Sequence, residues 1–170
     1  MNYRVCMLTL LFLFSSGVCN AFPTETPANP VLPGADPHVL LVDGTVWLYP
    51  THYVSPLTCF YAYSSTDMQE WEEHGPVLDF EHVYWLDEDG AKDHRAWAPC
   101  VTAKNGRYFF YYSVGPQDPT PTRIGVAIGS DPAGPFRDTG RPLLTGGDGF
   151  EAIDPMVFTD PKSGDSYLYA

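Results

Sequence analysis

The alternation of apolar and polar positions picks out one unit that recurs three times along the chain. Residues 36–51 (DPHVLLVDGTVWLYPT) read as a strand, a tight turn at Asp43-Gly44 and a second strand. That is the pattern of a β-hairpin with a two-residue turn. Residues 98–113 (APCVTAKNGRYFFYYS) align with it without a gap and put Asn105-Gly106 at the turn. Residues 154–169 (DPMVFTDPKSGDSYLY) align after a two-residue insertion before Gly164. The copies start 62 and then 56 residues apart. A second recurring element follows each of the first two hairpins. Residues 65–78 and 129–143 both lead from an Asp to an aromatic (Trp71, Phe136), then to a glycine four residues on (Gly75, Gly140), then to an apolar end. With third strands at 58–64 and 123–128, each repeat holds two hairpins. Four strands per repeat at this spacing is the signature of a β-propeller blade.

The expected fold is therefore all-β, with one blade over 36–80, a second over 97–144, and a third that begins near Ile153 and has two of its strands by Ala170. A propeller has about four to eight blades. Two and a half blades leave open sheet edges, so a truncated reading frame, or a product that needs a partner, is expected. The acidic stretch between the first two blades, residues 81–95 (EHVYWLDEDGAKDHR), reads as a solvated loop. Its Asp87-Glu88-Asp89-Gly90 does not match a calcium-binding EF-hand loop. Ahead of the repeats, Asn2 and Arg4 precede an apolar run over 5–14, and Cys19-Asn20-Ala21 offers a small-residue cleavage site. These features predict a secretory signal peptide over 1–21, too short to anchor in a bilayer; lipidation at Cys19 is the alternative. Residues 22–33 (FPTETPANPVLP) form a Pro-rich, extended leader. The domain organisation is then signal peptide 1–21, leader 22–33 and an incomplete propeller over 34–170, in an exported chain with no membrane segment beyond the signal.

Composition changes this picture in three ways. Fifteen glycines, 17 prolines and an aromatic share of 15% suit many short strands and turns. A formal net charge of −12 argues against nucleic acid or anionic lipid as a partner and is compatible with a neutral one such as a carbohydrate. Past the signal only Cys59 and Cys100 remain. Export permits a disulfide between them, while their apolar strand contexts equally suit two buried thiols. There is no CxxC, zinc-ligand spacing or phosphate-binding loop.

Candidate chemistry follows from the repeat. The first strand of each propeller blade lines the central channel, so Asp36, Ala98 and Asp154 occupy equivalent positions near one end. Two of the three are carboxylates, all three precede a proline, and Trp97 stands just before Ala98. Two carboxylates and an aromatic wall around an axial pocket are what a glycosidase uses, one group activating water and an acid protonating the leaving oxygen. Asp-Pro is equally a device for starting turns and strands, and Trp97 equally a core residue. His38 and His52 flank the first hairpin and are candidate partners for sugar hydroxyls. Trp47, Tyr49, Trp71, Tyr108, Phe110 and Tyr111 are expected to pack between blades. His74, His82 and His94 show no ligand spacing, and neither a metal site nor a cofactor is expected.

Taken together, GADPHV around Asp36, AWAPCV around Ala98, AIDPMVF around Asp154, and the strings NGRYFFYYS and GVAIGSDPAGPF resemble glycoside hydrolase family 43 over residues 33–170. The resemblance implies a five-bladed propeller that hydrolyses, with inversion, plant polysaccharides and oligosaccharides containing arabinose, xylose or galactose. It implies Asp36 as the general base and Asp154 as the carboxylate that orients the acid and raises its pKa. The acid itself would be a Glu on a later blade, past Ala170, and Glu151 does not stand at its position. The 170 residues alone are therefore expected to be inactive. Some members hold calcium in the channel, and the His ligand for it would also lie past Ala170. Two other readings stay open. One is a non-catalytic carbohydrate-binding propeller fragment. The other is a different five-bladed sugar enzyme of the invertase-like or mannoside phosphorylase groups. Trp97-Ala98-Pro99 stands where the invertase-like group has Arg-Asp-Pro, which weighs against that group.

Overall fold

A computed structural model describes residues 30–54, 57–118 and 120–170. The expected signal peptide and most of the Pro-rich leader lie outside these residues. Strand β1 (Ala35–Val42) turns into β2 (Thr45–Thr51) through Asp43 and Gly44, whose φ angles are +48° and +82°. A two-residue hairpin turn of this hand needs positive φ at both positions, which Asp and Gly tolerate best. Strands β3 (Cys59–Ser65) and β4 (Glu72–Asp79) complete an antiparallel sheet in the order β1-β2-β3-β4. The second sheet repeats the plan with β5 (Arg95–Lys104), β6 (Arg107–Gly115), β7 (Arg123–Gly129) and the short β8 (Arg137–Asp138). A further short strand, β9 (Leu144–Thr145), also pairs with β7. Asn105 and Gly106 turn β5 into β6 at φ +53° and +71°. A third hairpin, β10 (Met156–Thr159) and β11 (Ser166–Tyr169), carries the longer loop that the insertion before Gly164 requires. The chain is thus all-β, built from repeated antiparallel sheets, and no sheet closes on itself among the described residues.

The core forms where the first two sheets face each other. Tyr49, Phe60, Val101, Phe110, Tyr112 and Phe136 are buried there. Phe110 and Tyr112 stand two apart on β6 and so share a face, as the period of two demands, and Phe136 comes from the loop just before β8. Phe60 meets Phe110 edge-on at 5.1 Å between ring centres, a favoured aromatic geometry. Two polar contacts tie the first sheet to the loop between β7 and β8. The Tyr49 hydroxyl donates to the Pro132 carbonyl at 2.9 Å, and the Phe136 amide donates to the Val77 carbonyl at 2.8 Å.

Residues 81–95 differ from the solvated loop expected of them. Two 3₁₀ turns, Phe80–His82 and Leu86–Asp89, bury Val83, Trp85 and Leu86. The Trp85 indole N–H donates to Asp138 Oδ1 at 2.9 Å, and Asp138 Oδ2 accepts from the Tyr112 hydroxyl at 2.6 Å. The Arg123 guanidinium lies 4.7 Å above the Trp85 ring and donates to the carbonyls of Trp85 and Leu86. It also pairs with the Asp89 carboxylate, which takes a second contact from His94. The acidic letters of this stretch suggested solvent. Its apolar letters carry the packing, and one of the acids is neutralised by an arginine supplied from β7.

Candidate functional site

Three first strands lie side by side, with β5 between β1 and β10. Each is entered through the same unusual backbone. Asp36, Ala98 and Asp154 have φ of +47°, +40° and +55°. For a residue with a Cβ this left-handed conformation costs about 1–2 kcal/mol. In the first two hairpins the strand register slips at the same place, between Ala35 and His38 and between Trp97 and Cys100. A bulge of this kind re-aims the side chain it carries. Asp36 and Asp154 are exposed, whereas the Ala98 methyl is buried. Aspartate accepts left-handed φ more readily than most residues, so the backbone by itself favours Asp here. Ala98 holds the same conformation without a side-chain oxygen, so the surrounding structure imposes it. Backbone strain that is held in this way clusters at functional sites.

A hydroxyl from the preceding hairpin accepts from the amide of each of the later two left-handed residues. Thr51, at the end of β2 and 5% exposed, accepts from the Ala98 amide at 2.7 Å. Its hydroxyl donates to Asp36 Oδ2 at 2.9 Å. Ser113, at the same place near the end of β6, accepts from the Asp154 amide at 3.0 Å. Thr51 thereby links the Asp36 carboxylate to the Ala98 amide, and Ser113 holds the Asp154 amide to β6. The sequence reading passed over Thr51 and Ser113. The signal was present, since both are the final hydroxyl letter of the aligned hairpins.

Trp97 stands opposite Ser113 in the β5–β6 register, within this row. Its indole lies on Gly115, where a Cβ would fall 2.4 Å from the ring. A glycine is required there for the indole to lie against the strand. Trp97 remains half-buried. Beside this end of β5 and β6 a cleft of about 430 Å³ opens between Gly90, Lys92, Asp93, Arg95, Pro116 and Asp118.

The two candidate histidines are placed differently. The His38 Nε2–H donates to the Val101 carbonyl at 2.8 Å and ties β1 to β5, leaving Nδ1 uncommitted by this contact. Burial holds the His38 pKa below its ordinary value, against the opposing effect of that hydrogen bond. His52 follows Thr51 at the bulge end but packs on Tyr61, 4.7 Å between ring centres. Its Nδ1 is buried with no hydrogen-bond partner among the described residues. Glu151 is pinned, its Oε2 accepting from the Thr122 amide and hydroxyl at 2.8 Å each.

Cys59 and Cys100 are buried thiols, each within its own sheet. Cys100 accepts from the Val157 amide at 3.4 Å, a link between β5 and β10, and burial pushes its pKa up. Burial also pushes the Asp89 carboxyl up, but the Ala91 amide, His94 and Arg123 outweigh it, so its pKa lies below the ordinary value. Among the described residues no three or more His, Cys, Asp or Glu side chains are grouped to hold a metal ion. No helix among them is long and apolar enough to cross a membrane.

Comparison with known proteins matches residues 27–170 to the family described as Glycosyl hydrolases family 43. The β-D-galactofuranosidase xynD of Aspergillus niger is 36% identical over 156 residues, which span 83% of this chain and 44% of that protein. A xylosidase/arabinosidase of Bacteroides ovatus is 30% identical, over 85% of this chain and 46% of its own. Among solved structures, a β-xylosidase/α-arabinofuranosidase from a compost microbial metagenome, in complex with xylotriose, superposes with a TM-score of 0.64. It is 29% identical, over 79% of this chain and 41% of its own. The enzyme from Xanthomonas citri complexed with xylose also gives a TM-score of 0.64, at 28% identity over 79% of this chain and 38% of its own. The chain spans less than half the length of each of these relatives.

Proposed function

The chain belongs to glycosyl hydrolases family 43, and we propose that it forms the base-bearing part of an exported, inverting glycosidase. The bonds cleaved are O-glycosyl bonds in polysaccharides or oligosaccharides containing arabinose, xylose or galactose. Relatives named for xylosidase, arabinosidase and galactofuranosidase activity support this range of sugars. In this reading the repeated sheets are the first two and a half blades of a five-bladed propeller. The observation that carries the reading is the left-handed backbone shared by Asp36, Ala98 and Asp154, which leaves two carboxylates exposed at the starts of β1 and β10, on either side of the β5 segment Trp97-Ala98.

Asp36 acts as general base and takes a proton from the attacking water. Asp154 orients the acid and raises its pKa by placing a like charge beside it. Trp97 offers its ring face to the sugar. His52, and His38 through Nδ1, are candidate partners for sugar hydroxyls. An inverting site holds its base and its acid roughly 6.5–9.5 Å apart, on opposite sides of the bond. The acid in this reading is a Glu supplied from outside these 170 residues, so they bind sugar and do not turn it over alone.

The test uses the 170-residue chain with aryl arabinofuranoside, aryl xyloside and xylotriose. No release of the aryl group is expected, together with xylotriose binding that Trp97→Ala weakens at least about tenfold, a loss of 1.4 kcal/mol. Turnover that disappears in Asp36→Ala would overturn the expected inactivity. Xylotriose binding that Trp97→Ala leaves intact would remove the sugar site from this row.

A further inference from the structure

We propose that Thr51 is a positioning residue that holds the Asp36 carboxylate in a single orientation; the proposal rests on Asp36 being the general base. A threonine hydroxyl has one proton to give and two lone pairs to receive. The Ala98 amide occupies a lone pair at 2.7 Å. The proton is thereby left for Asp36 Oδ2, 2.9 Å away. An amide that donates to a hydroxyl which itself donates to a carboxylate strengthens both bonds. Thr51 is almost wholly buried, and β-branching limits its own χ1. It is a stiff donor at the foot of an otherwise exposed side chain.

Two consequences follow for the site. One carboxylate oxygen is committed to Thr51, so the other is the one turned to the attacking water. The anchor of Thr51 is the Ala98 amide, one residue from Trp97, so the base and the sugar platform are set by one piece of backbone. Ser113 provides an internal comparison. It makes the same hydrogen bond to the next left-handed residue's amide, that of Asp154, but the left-handed residue of its own hairpin is Ala98, which has no carboxylate to receive its proton. The amide link is common to both repeats, and the carboxylate link belongs to Thr51.

The measurement is the χ1 rotamer of Asp36 in the folded 170-residue chain, from three-bond couplings of its side-chain carboxyl carbon to the backbone nitrogen and carbonyl carbon. One rotamer is expected in the unaltered chain. Averaging is expected in Thr51→Val, with a single rotamer recovered in Thr51→Ser and retained in Ser113→Ala. A single rotamer in folded Thr51→Val overturns the proposal. So does averaging in the unaltered chain, a result that requires no variant to fold. No turnover enters these readings, so they succeed or fail apart from the base assignment, which is refuted by an active longer form whose turnover survives Asp36→Ala.

Discussion

Replacing Arg123 with leucine removes a guanidinium that serves four partners at once. It donates to the Trp85 carbonyl at 3.1 Å and the Leu86 carbonyl at 2.8 Å, pairs with Asp89, and covers the Trp85 ring at 4.7 Å. The Arg123 and Asp89 side chains are 6% and 8% exposed. Breaking a buried pair by removing one partner costs about 3–5 kcal/mol, because the other charge stays behind without its counterion. Asp89 would keep the Ala91 amide at 2.8 Å and His94 at 3.1 Å, and leucine restores some apolar contact, so the lower end applies. The expected loss is about 3 kcal/mol. For a domain of this size that corresponds to a fall in Tm of roughly 6–12 °C. Urea unfolding followed by circular dichroism and by tryptophan fluorescence measures it, and coincident transitions license the two-state treatment. A loss under about 1 kcal/mol would refute the reasoning, since that is the value of a solvated surface pair. A second arm tests the mechanism. Arg123→Leu combined with Asp89→Leu leaves no uncompensated charge, so the double variant is expected to lose less than the sum of the single losses. Strict additivity would mean that the two side chains do not act as a pair.

Gly115→Ala drives a methyl into the Trp97 ring at a position 2.4 Å from it. It is expected to cost about 1–3 kcal/mol as overpacking and to weaken xylotriose binding, read by titration against Trp97→Ala; unchanged binding would show that the indole need not lie on the strand. Acidification should weaken the fold in two ranges, read as urea midpoints against pH. The pKa of His38 is depressed in the fold, so its contribution is complete above 6.5 and lost as pH falls below that value. Asp89 is likewise depressed, and its share is lost below 3.8. His38→Gln should remove the upper range alone, and its persistence in that variant would reassign it. On the alkaline side Tyr49, Tyr63 and Tyr112 are pushed up by burial, Tyr63 to about 12. Their neutral forms stabilise the fold fully below pH 10, and that contribution declines as pH rises through the folded values. Stability that stayed flat above pH 10 would contradict the burial of these hydroxyls.

The hairpins could be read from the sequence because their causes are local. Asp43-Gly44 and Asn105-Gly106 supply the positive φ of a two-residue turn, and the runs VWLY in β2 and YFFYY in β6, rich in β-branched and aromatic residues, mark the strands on either side. The repeat then placed Asp36, Ala98 and Asp154 at one position without any structural information. The insert was misread for a related reason. A run such as Asp87-Glu88-Asp89 looks solvated when counted by itself, and nothing nearby in the sequence shows that Arg123 reaches Asp89 from β7.

What the letters could not carry was the left-handed bulge and the contacts that hold it. Asp-Pro and Ala-Pro read as ordinary strand starts, and the φ of their first residue is set by neighbours far along the chain. Thr51 meets the Ala98 amide 47 residues away, and His38 meets the Val101 carbonyl 63 residues away. A single hydrogen bond between distant residues leaves no periodic trace, because it depends on the approach of two sheets and not on the spacing of side chains within one. The sequence by itself determined the repeat, its turns and the row of residues that opens each first strand. Only the packing of one sheet against the next decided which way that row faces, with Ala98 turned into the core, Asp36 and Asp154 turned out, and the Asp36 carboxylate held by a hydroxyl that the Ala98 amide fixes in place.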